Sequence, residues 1–143
     1  MTYANDTIVL ADRYMAMWNE PDPEVRTELI RSLWALDGAQ ILADPPEAAR
    51  DSAVRLHFGP PSFEVHGHAA LEARVTRAYE MFIASGEYRF TSNGAPHDLL
   101  KNLVTFAWQM VSTADGTHVG GGVEILDLDD NGKIRRDYQF IER

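Results

Sequence analysis

Glu124, Asp137 and Gln139 are the residues from which chemistry is first expected. They lie in Val119–Ile141, VGGGVEILDLDDNGKIRRDYQFI, which reads as two β-strands joined by a tight turn. Asp129-Asp130-Asn131-Gly132 supplies the turn, because Asn and Gly tolerate the positive φ of a short hairpin. Side chains along a strand point to opposite faces in turn. Glu124 therefore shares a face with Leu126 and Leu128, and Asp137 shares one with Gln139. A carboxylate on an apolar strand face points to a polar site inside a mostly apolar pocket. Such a pocket raises a carboxyl pKa by desolvation. Two acids in different surroundings can then divide into a base and a hydrogen-bond donor, which is equipment for general acid–base work.

The totals bound what surrounds that site. The chain has 143 residues, which suits one domain over 1–143, and 45% of them are hydrophobic, enough for a sizeable core. The net charge of −9 argues against nucleic acid or an anionic membrane surface as partner, since both call for clustered Lys and Arg. With no cysteine, thiolate chemistry and disulfides are excluded. The first residues lack a basic start followed by an apolar run, and no apolar stretch is long enough to span a bilayer. A cytoplasmic location is expected. No repeat or linker divides the chain.

The elements that must position the acids follow from periodicity. Asn5 or Asp6 caps a first helix to about Asn19, with Ile8, Ala11, Met15 and Trp18 on one face and Leu10, Tyr14 and Met17 beside it. Asp22-Pro23 starts a second helix, striped by Val25, Leu29, Leu33 and Leu36, and widened by Ile30 and Trp34. Asp37-Gly38 is expected to stop it. A short strand is expected from Ala39 to Asp44, then a long loop over Glu47–Ser62, of the kind that forms lids. A brief strand over Phe63–Val65 precedes a third helix from about His68 to Ala84, with Leu71, Val75, Tyr79 and Phe82 at helical spacing. Strands follow at Tyr88–Thr91 and Leu103–Thr113. In the longer one Val104, Phe106, Trp108 and Met110 share a face. Helices come mostly first and an antiparallel meander last, so the class is α+β.

This order resembles the nuclear transport factor 2-like superfamily, and within it the SnoaL-like and ketosteroid isomerase branches. Arg13-Tyr14-Met15-Ala16, the stretch Ala39 to Pro45, and Gly67-His68-Ala69-Ala70-Leu71 carry part of the match. Phe106-Ala107-Trp108, Gly122-Val123-Glu124-Ile125, Asn131 to Ile134 and Arg136-Asp137-Tyr138 carry the rest. The fold implied is a cone: a curved, mostly antiparallel sheet wrapped around three helices, with an internal pocket. Many members are dimers, so a homodimer is expected. The superfamily holds isomerases, cyclases, epoxide hydrolases, dehydratases and pure binders, so fold alone does not choose the chemistry. In the isomerase, a carboxylate near the end of the first strand moves the proton, and Asp44 resembles it. A helix-one tyrosine and a protonated acid hold the enolate oxygen, and Tyr14 and Glu124 resemble those. Glu124 stands where the family has Asp and is one methylene longer. Asp137, Gln139 and Arg135 bring polar groups where that pocket is apolar. This fits the SnoaL-like cyclases better, where a last-strand acid abstracts a proton; Asp137 resembles that acid. The epoxide hydrolase branch also needs an Arg and an Asp that the Leu103–Thr113 strand lacks.

Each residue also has a plainer reading. Glu124 pairs with Arg135 across the hairpin; Asp44 shapes the turn before Pro45; Tyr14 packs a helix; Asp137 pairs with Arg135 or Arg136 or faces solvent. His66-Gly67-His68 lacks further ligands for a metal, and His57, His97 and His118 read as loop or surface residues. Gly120-Gly121-Gly122 has no helix or Lys after it and so marks a bend, or room in the pocket, rather than a phosphate loop. Asp127, Asp129 and Asp130 lack calcium-loop spacing. Trp34, Phe106, Trp108 and Met110, with Gln139, are read as pocket wall. The expectation is a cofactor-independent, metal-free enzyme, isomerase or cyclase, moving a proton next to a carbonyl of a small hydrophobic molecule, polycyclic ones included. Asp44 or Asp137 is the base, and Tyr14 and Glu124 hold the oxyanion. The competing expectation is a non-catalytic ligand-binding or scaffolding dimer.

Overall fold

The structure is a computed structural model that describes residues 3–43 and 63–142, with side chains from Asp6 onward. Asp44 and the loop expected over Glu47–Ser62 lie outside the described residues. Three helices, α1 (Tyr3–Asn19), α2 (Pro23–Leu33) and α3 (His68–Ala78), pack on one face of a seven-stranded curved sheet that does not close. The strands are β1 (Trp34–Ala43), β2 (Phe63–His66), β3 (Tyr88–Ser92), β4 (His97–Leu100), β5 (Leu103–Ser112), β6 (His118–Leu128) and β7 (Ile134–Ile141). Their order is β2-β1-β7-β6-β5-β3, with β4 also on β5. Every pairing is antiparallel except β1 with β7, which is parallel. This is the α+β cone expected from the sequence.

The hairpin forms as its residues dictate. Asp129 Oδ1 accepts from the backbone N–H groups of Asn131 and Lys133, both at 2.9 Å, and Gly132 takes φ +78°. Several local expectations need correction. The buried residues of α1 are Thr7, Ala11, Tyr14, Met15, Met17 and Trp18, whereas Ile8 is exposed. The buried side of α2 is Arg26, Ile30 and Leu33, and the helix ends at Leu33 rather than Leu36. Trp34 already pairs with Ile134 in the sheet, so Asp37-Gly38 lies inside a strand, at a register irregularity. A Cβ on Gly38 would lie 2.9 Å from the Ile134 carbonyl oxygen, which only glycine avoids. Finally, α3 gives way at Tyr79 to a π-helical turn, Tyr79–Ile83, and the exposed strand β4 gave no periodic signal.

Trp34, Met17, Ile30, Leu33, Leu71, Val75, Phe106, Leu126 and Ile134 form the centre of the core between helices and sheet. Among the described residues no helix is long and apolar enough to cross a membrane. Leu33 is 1% exposed and Leu36 82%. Leu33→Ala is therefore expected to cost about 2–5 kcal/mol of unfolding free energy, and Leu36→Ala under about 0.5 kcal/mol. Urea unfolding measures both, and equal losses would put Leu36 back on a buried face.

Candidate functional site

The hairpin sets Glu124 opposite Gln139 and Leu126 opposite Asp137, so the two acids are diagonal neighbours on the buried face. Both are 0% exposed. Parallel pairing of β1 with β7 places Gln40 opposite Asp137. Gln40 Nε2 donates to Asp137 Oδ2 at 3.0 Å, and the Tyr14 phenol on α1 donates to the same oxygen at 2.5 Å. Glu124 Oε1 accepts from Trp108 Nε1 at 2.9 Å and Gln139 Nε2 at 2.6 Å. The remaining oxygens, Glu124 Oε2 and Asp137 Oδ1, receive no N–H or hydroxyl donor. The two acids influence one another's charge, and a proton on either would relieve their repulsion and give it a donor.

Burial sets the protonation. Desolvation raises the Glu124 carboxyl well above the ordinary range, and the charge of Asp137 raises it further. Desolvation also raises Asp137, but hydrogen bonds from Glu124, Tyr14 and Gln40 hold it down. Glu124 is therefore the neutral acid of the pair and Asp137 the carboxylate. Tyr14 is pushed up by burial and by both acids, so it stays a phenol and a donor.

A cavity of about 50 Å³ opens against this pair. Tyr14, Met15 and Trp18 of α1 form one wall. Arg74 and Ala78 of α3, with Phe82 of the π-helical turn, form another. Phe90, Trp108, Glu124 and Gln139 supply the sheet side. Glu124 reaches the cavity; Asp137 stands behind it. Arg74 Nη2 donates to Gln139 Oε1 at 3.2 Å, and its guanidinium lies 5.2 Å from the Trp18 ring centroid. The glycine run seats the indole. A Cβ on Gly122 would lie 2.8 Å from the Trp108 ring and 2.4 Å from the Phe140 carbonyl oxygen.

Of the residues expected from sequence, Tyr14, Glu124, Asp137, Trp108 and Gln139 are brought together. Trp34, Phe106 and Met110 are not in the cavity lining: Trp34 is core, Phe106 packs edge-on against Tyr14, and Met110 sits farther along β5. Arg135 pairs with Asp127 at 2.9 Å on the surface, so it does not neutralise Glu124. Among the described residues no group of three or more His, Asp or Glu is placed to hold a metal. Sequence reasoning missed Gln40 and Arg74. Both carried a signal, a polar residue on an apolar face: Gln40 in line with Leu42, and Arg74 between Leu71, Val75 and Ala78.

The raised acids make a pH dependence with a fixed sign. The folded chain keeps a proton that the unfolded chain releases once pH passes the ordinary glutamate value of 4.5. Stability therefore falls as pH rises above that value, by at most about 1.4 kcal/mol per pH unit for one extra proton. Glu124→Gln copies the neutral acid and still accepts from Trp108 and Gln139. Its unfolding free energy is expected to change less over the same range, and urea unfolding at several pH values compares the two. A slope as steep as wild type would mean that Glu124 does not hold the proton.

No family model and no curated protein matches the chain. Among solved structures, a candidate isomerase of the SnoaL-like family from Agrobacterium tumefaciens str. C58 aligns at TM-score 0.75 and 26% identity. The alignment covers 97% of this chain and 99% of that one. A nuclear transport factor 2-like protein of unknown function from Exiguobacterium sp. 255-15 aligns at 0.63 and 18% identity, over 93% of this chain and 98% of its own. A cystatin-like-fold protein of unknown function from Nostoc punctiforme PCC 73102 gives 0.63 and 15%, over 99% and 94%. With the cone, the hairpin and the helix order already described, these matches show a nuclear transport factor 2-like fold, and the Agrobacterium structure makes the chain similar to the SnoaL-like branch of that superfamily.

Proposed function

We propose that this protein is a cofactor-independent proton-transfer enzyme of isomerase or cyclase type, acting next to a carbonyl of a small ligand. The observation that carries the reading is the fully buried Glu124–Asp137 pair, diagonal across the hairpin, with Glu124 at the cavity wall. The isomerase designation of the Agrobacterium relative supports the same class. The small cavity favours a ligand of few heavy atoms over a polycyclic one, since pockets for larger ligands run to roughly 300 Å³ and more.

In this reading Glu124, rather than Asp44 or Asp137, is the base. When the shared proton sits on Asp137, Glu124 is a carboxylate facing the cavity and is the base. It takes a proton from the carbon beside the carbonyl. The C–H electrons form the enolate double bond, and the carbonyl oxygen gains the charge. Asp137, once protonated, releases the Tyr14 O–H to donate to that oxygen. Glu124 then returns its proton to another position of the conjugated ligand, and the pair regains its starting state. Asp137 and Gln40 position and poise the proton.

The test is deuterium incorporation at the α-carbon of small ketones and 2-oxo acids in D2O, followed by NMR. Wild type is expected to exchange at least one compound well above the buffer rate. Glu124→Gln should lower that rate by about 10²–10⁴-fold with the fold intact by circular dichroism. Exchange of no compound, or full exchange by the variant, overturns the reading.

A further inference from the structure

Arg74 has no role in the proton movement described above, and its surroundings ask for one. It is mostly withdrawn from solvent, enough that burial lowers its pKa. Among the described residues it forms no ion pair, whereas Arg31, Arg77 and Arg135 have carboxylate partners at the surface. It meets a neutral amide, Gln139 Oε1 at 3.2 Å, and the face of Trp18. A guanidinium has five N–H donors in a planar fork. One bond to an amide leaves most of that capacity unused at a cavity wall.

The buried acids act on Arg74 through space but neither touches it. Arg74 leads to Gln139, and Gln139 to Glu124, which is the protonated member of the pair. The negative charge sits beyond, on Asp137, held by Tyr14 and Gln40. The cavity thus has a cation on its helix side and a neutral carboxyl on its sheet side. Asp137 attracts the guanidinium through space without touching it, and an anion placed directly on the fork would add the contact that Asp137 does not make. A carboxylate matches the guanidinium fork with two parallel bonds. The apolar remainder, Met15, Ala78, Phe82 and Phe90, suits a short hydrocarbon chain.

We propose that Arg74 selects the ligand: the cavity takes a small monocarboxylate with an apolar chain, its carboxylate on the Arg74 guanidinium and its carbons toward Glu124. Taken with the proton-transfer reading on which it rests, the substrate class is a short-chain oxo acid. Arg74 is then a specificity-determining residue that holds the ligand while Glu124 exchanges the proton.

Butyrate and its neutral isostere butyramide test the assignment, with binding followed by Trp fluorescence and by saturation-transfer NMR. Wild type is expected to bind butyrate at least about tenfold more tightly than butyramide, the usual scale for a hydrogen bond to a charged group. Arg74→Met should erase the preference while leaving butyramide binding within about twofold, and Arg74→Lys should restore part of it. Circular dichroism checks that both variants fold. A purely structural Arg74 would shift the two ligands equally, and that result overturns the proposal. So does equal affinity in wild type, or no saturable binding of butyrate. The proton-transfer reading fails separately. Loss of the butyrate preference in Arg74→Met with no deuterium exchange of 2-oxobutyrate would keep the carboxylate site and remove the enzyme. Exchange of neutral ketones without any carboxylate preference would do the reverse.

Discussion

Two carboxyl groups at 0% exposure, diagonal to one another on paired strands, are the constraint on which the rest depends. Two buried like charges at that separation would be strongly unfavourable, because each loses its hydration and they repel. A proton held on one of them removes one charge; Glu124 Oε2 and Asp137 Oδ1 are the two oxygens that no N–H or hydroxyl reaches. The remaining oxygens draw donors from distant parts of the chain: Tyr14 from α1, Gln40 from β1, Trp108 from β5 and Gln139 from β7. Each bond demands that its element sit in one position. Docking of the first helix and the polar chemistry of the sheet are thus one problem with one solution.

The register of the sheet follows from the same demand. A slip of one residue along β6 or β7 would turn Glu124 or Asp137 to the outer face and bring its neighbour inward. The Asp129–Lys133 turn fixes that register locally, through side-chain and backbone bonds. The parallel partner β1 has no such local help. It is anchored at its start by Trp34 beside Ile134 and, after the irregular stretch around Gly38, by Gln40 beside Asp137. Glycine acts twice in this way, at Gly38 to let β1 approach β7 and at Gly122 to let the Trp108 ring lie flat enough to reach Glu124. Deleting either space with a methyl group would disturb the acids without touching them.

How much of this was legible in the sequence depends on the range of the interaction. The hairpin, the alternation that turns Glu124 and Asp137 inward, and the three helices are written in local periodicity and turn chemistry. The end of α2 is not. Leu36 continues a helical stripe in one dimension, yet Trp34 gains more by burial and by sheet pairing with residues a hundred positions away. Ile8 and Val25 fail for a related reason: periodicity gives a face, but not the angle at which that face docks. Arg74 and Gln40 were visible as polar residues among apolar ones, the same pattern that singled out Glu124. A cation on a helix was easier to read as a solvated side chain, because long arginines often reach the surface from an apolar face. Here Trp18 lies against the guanidinium instead.

The balance of donors around the pair bears on what it can do. Asp137 as the anion is favoured by Tyr14 and Gln40; Glu124 as the anion would be favoured by Trp108 and Gln139, with Arg74 behind Gln139. Each acid thus has two donors in a low-dielectric setting where hydrogen bonds strengthen one another. Burial and the repulsion of Asp137 tip the resting proton to Glu124. The opposing donors keep the other placement within reach, and a pair so closely coupled titrates as a unit. A structural acid has no use for that near-symmetry: one protonated carboxyl with one fixed partner would be enough. A proton that must leave the cavity wall and come back to it requires both placements to be supported. The second set of donors is what the proposed proton transfer would draw on.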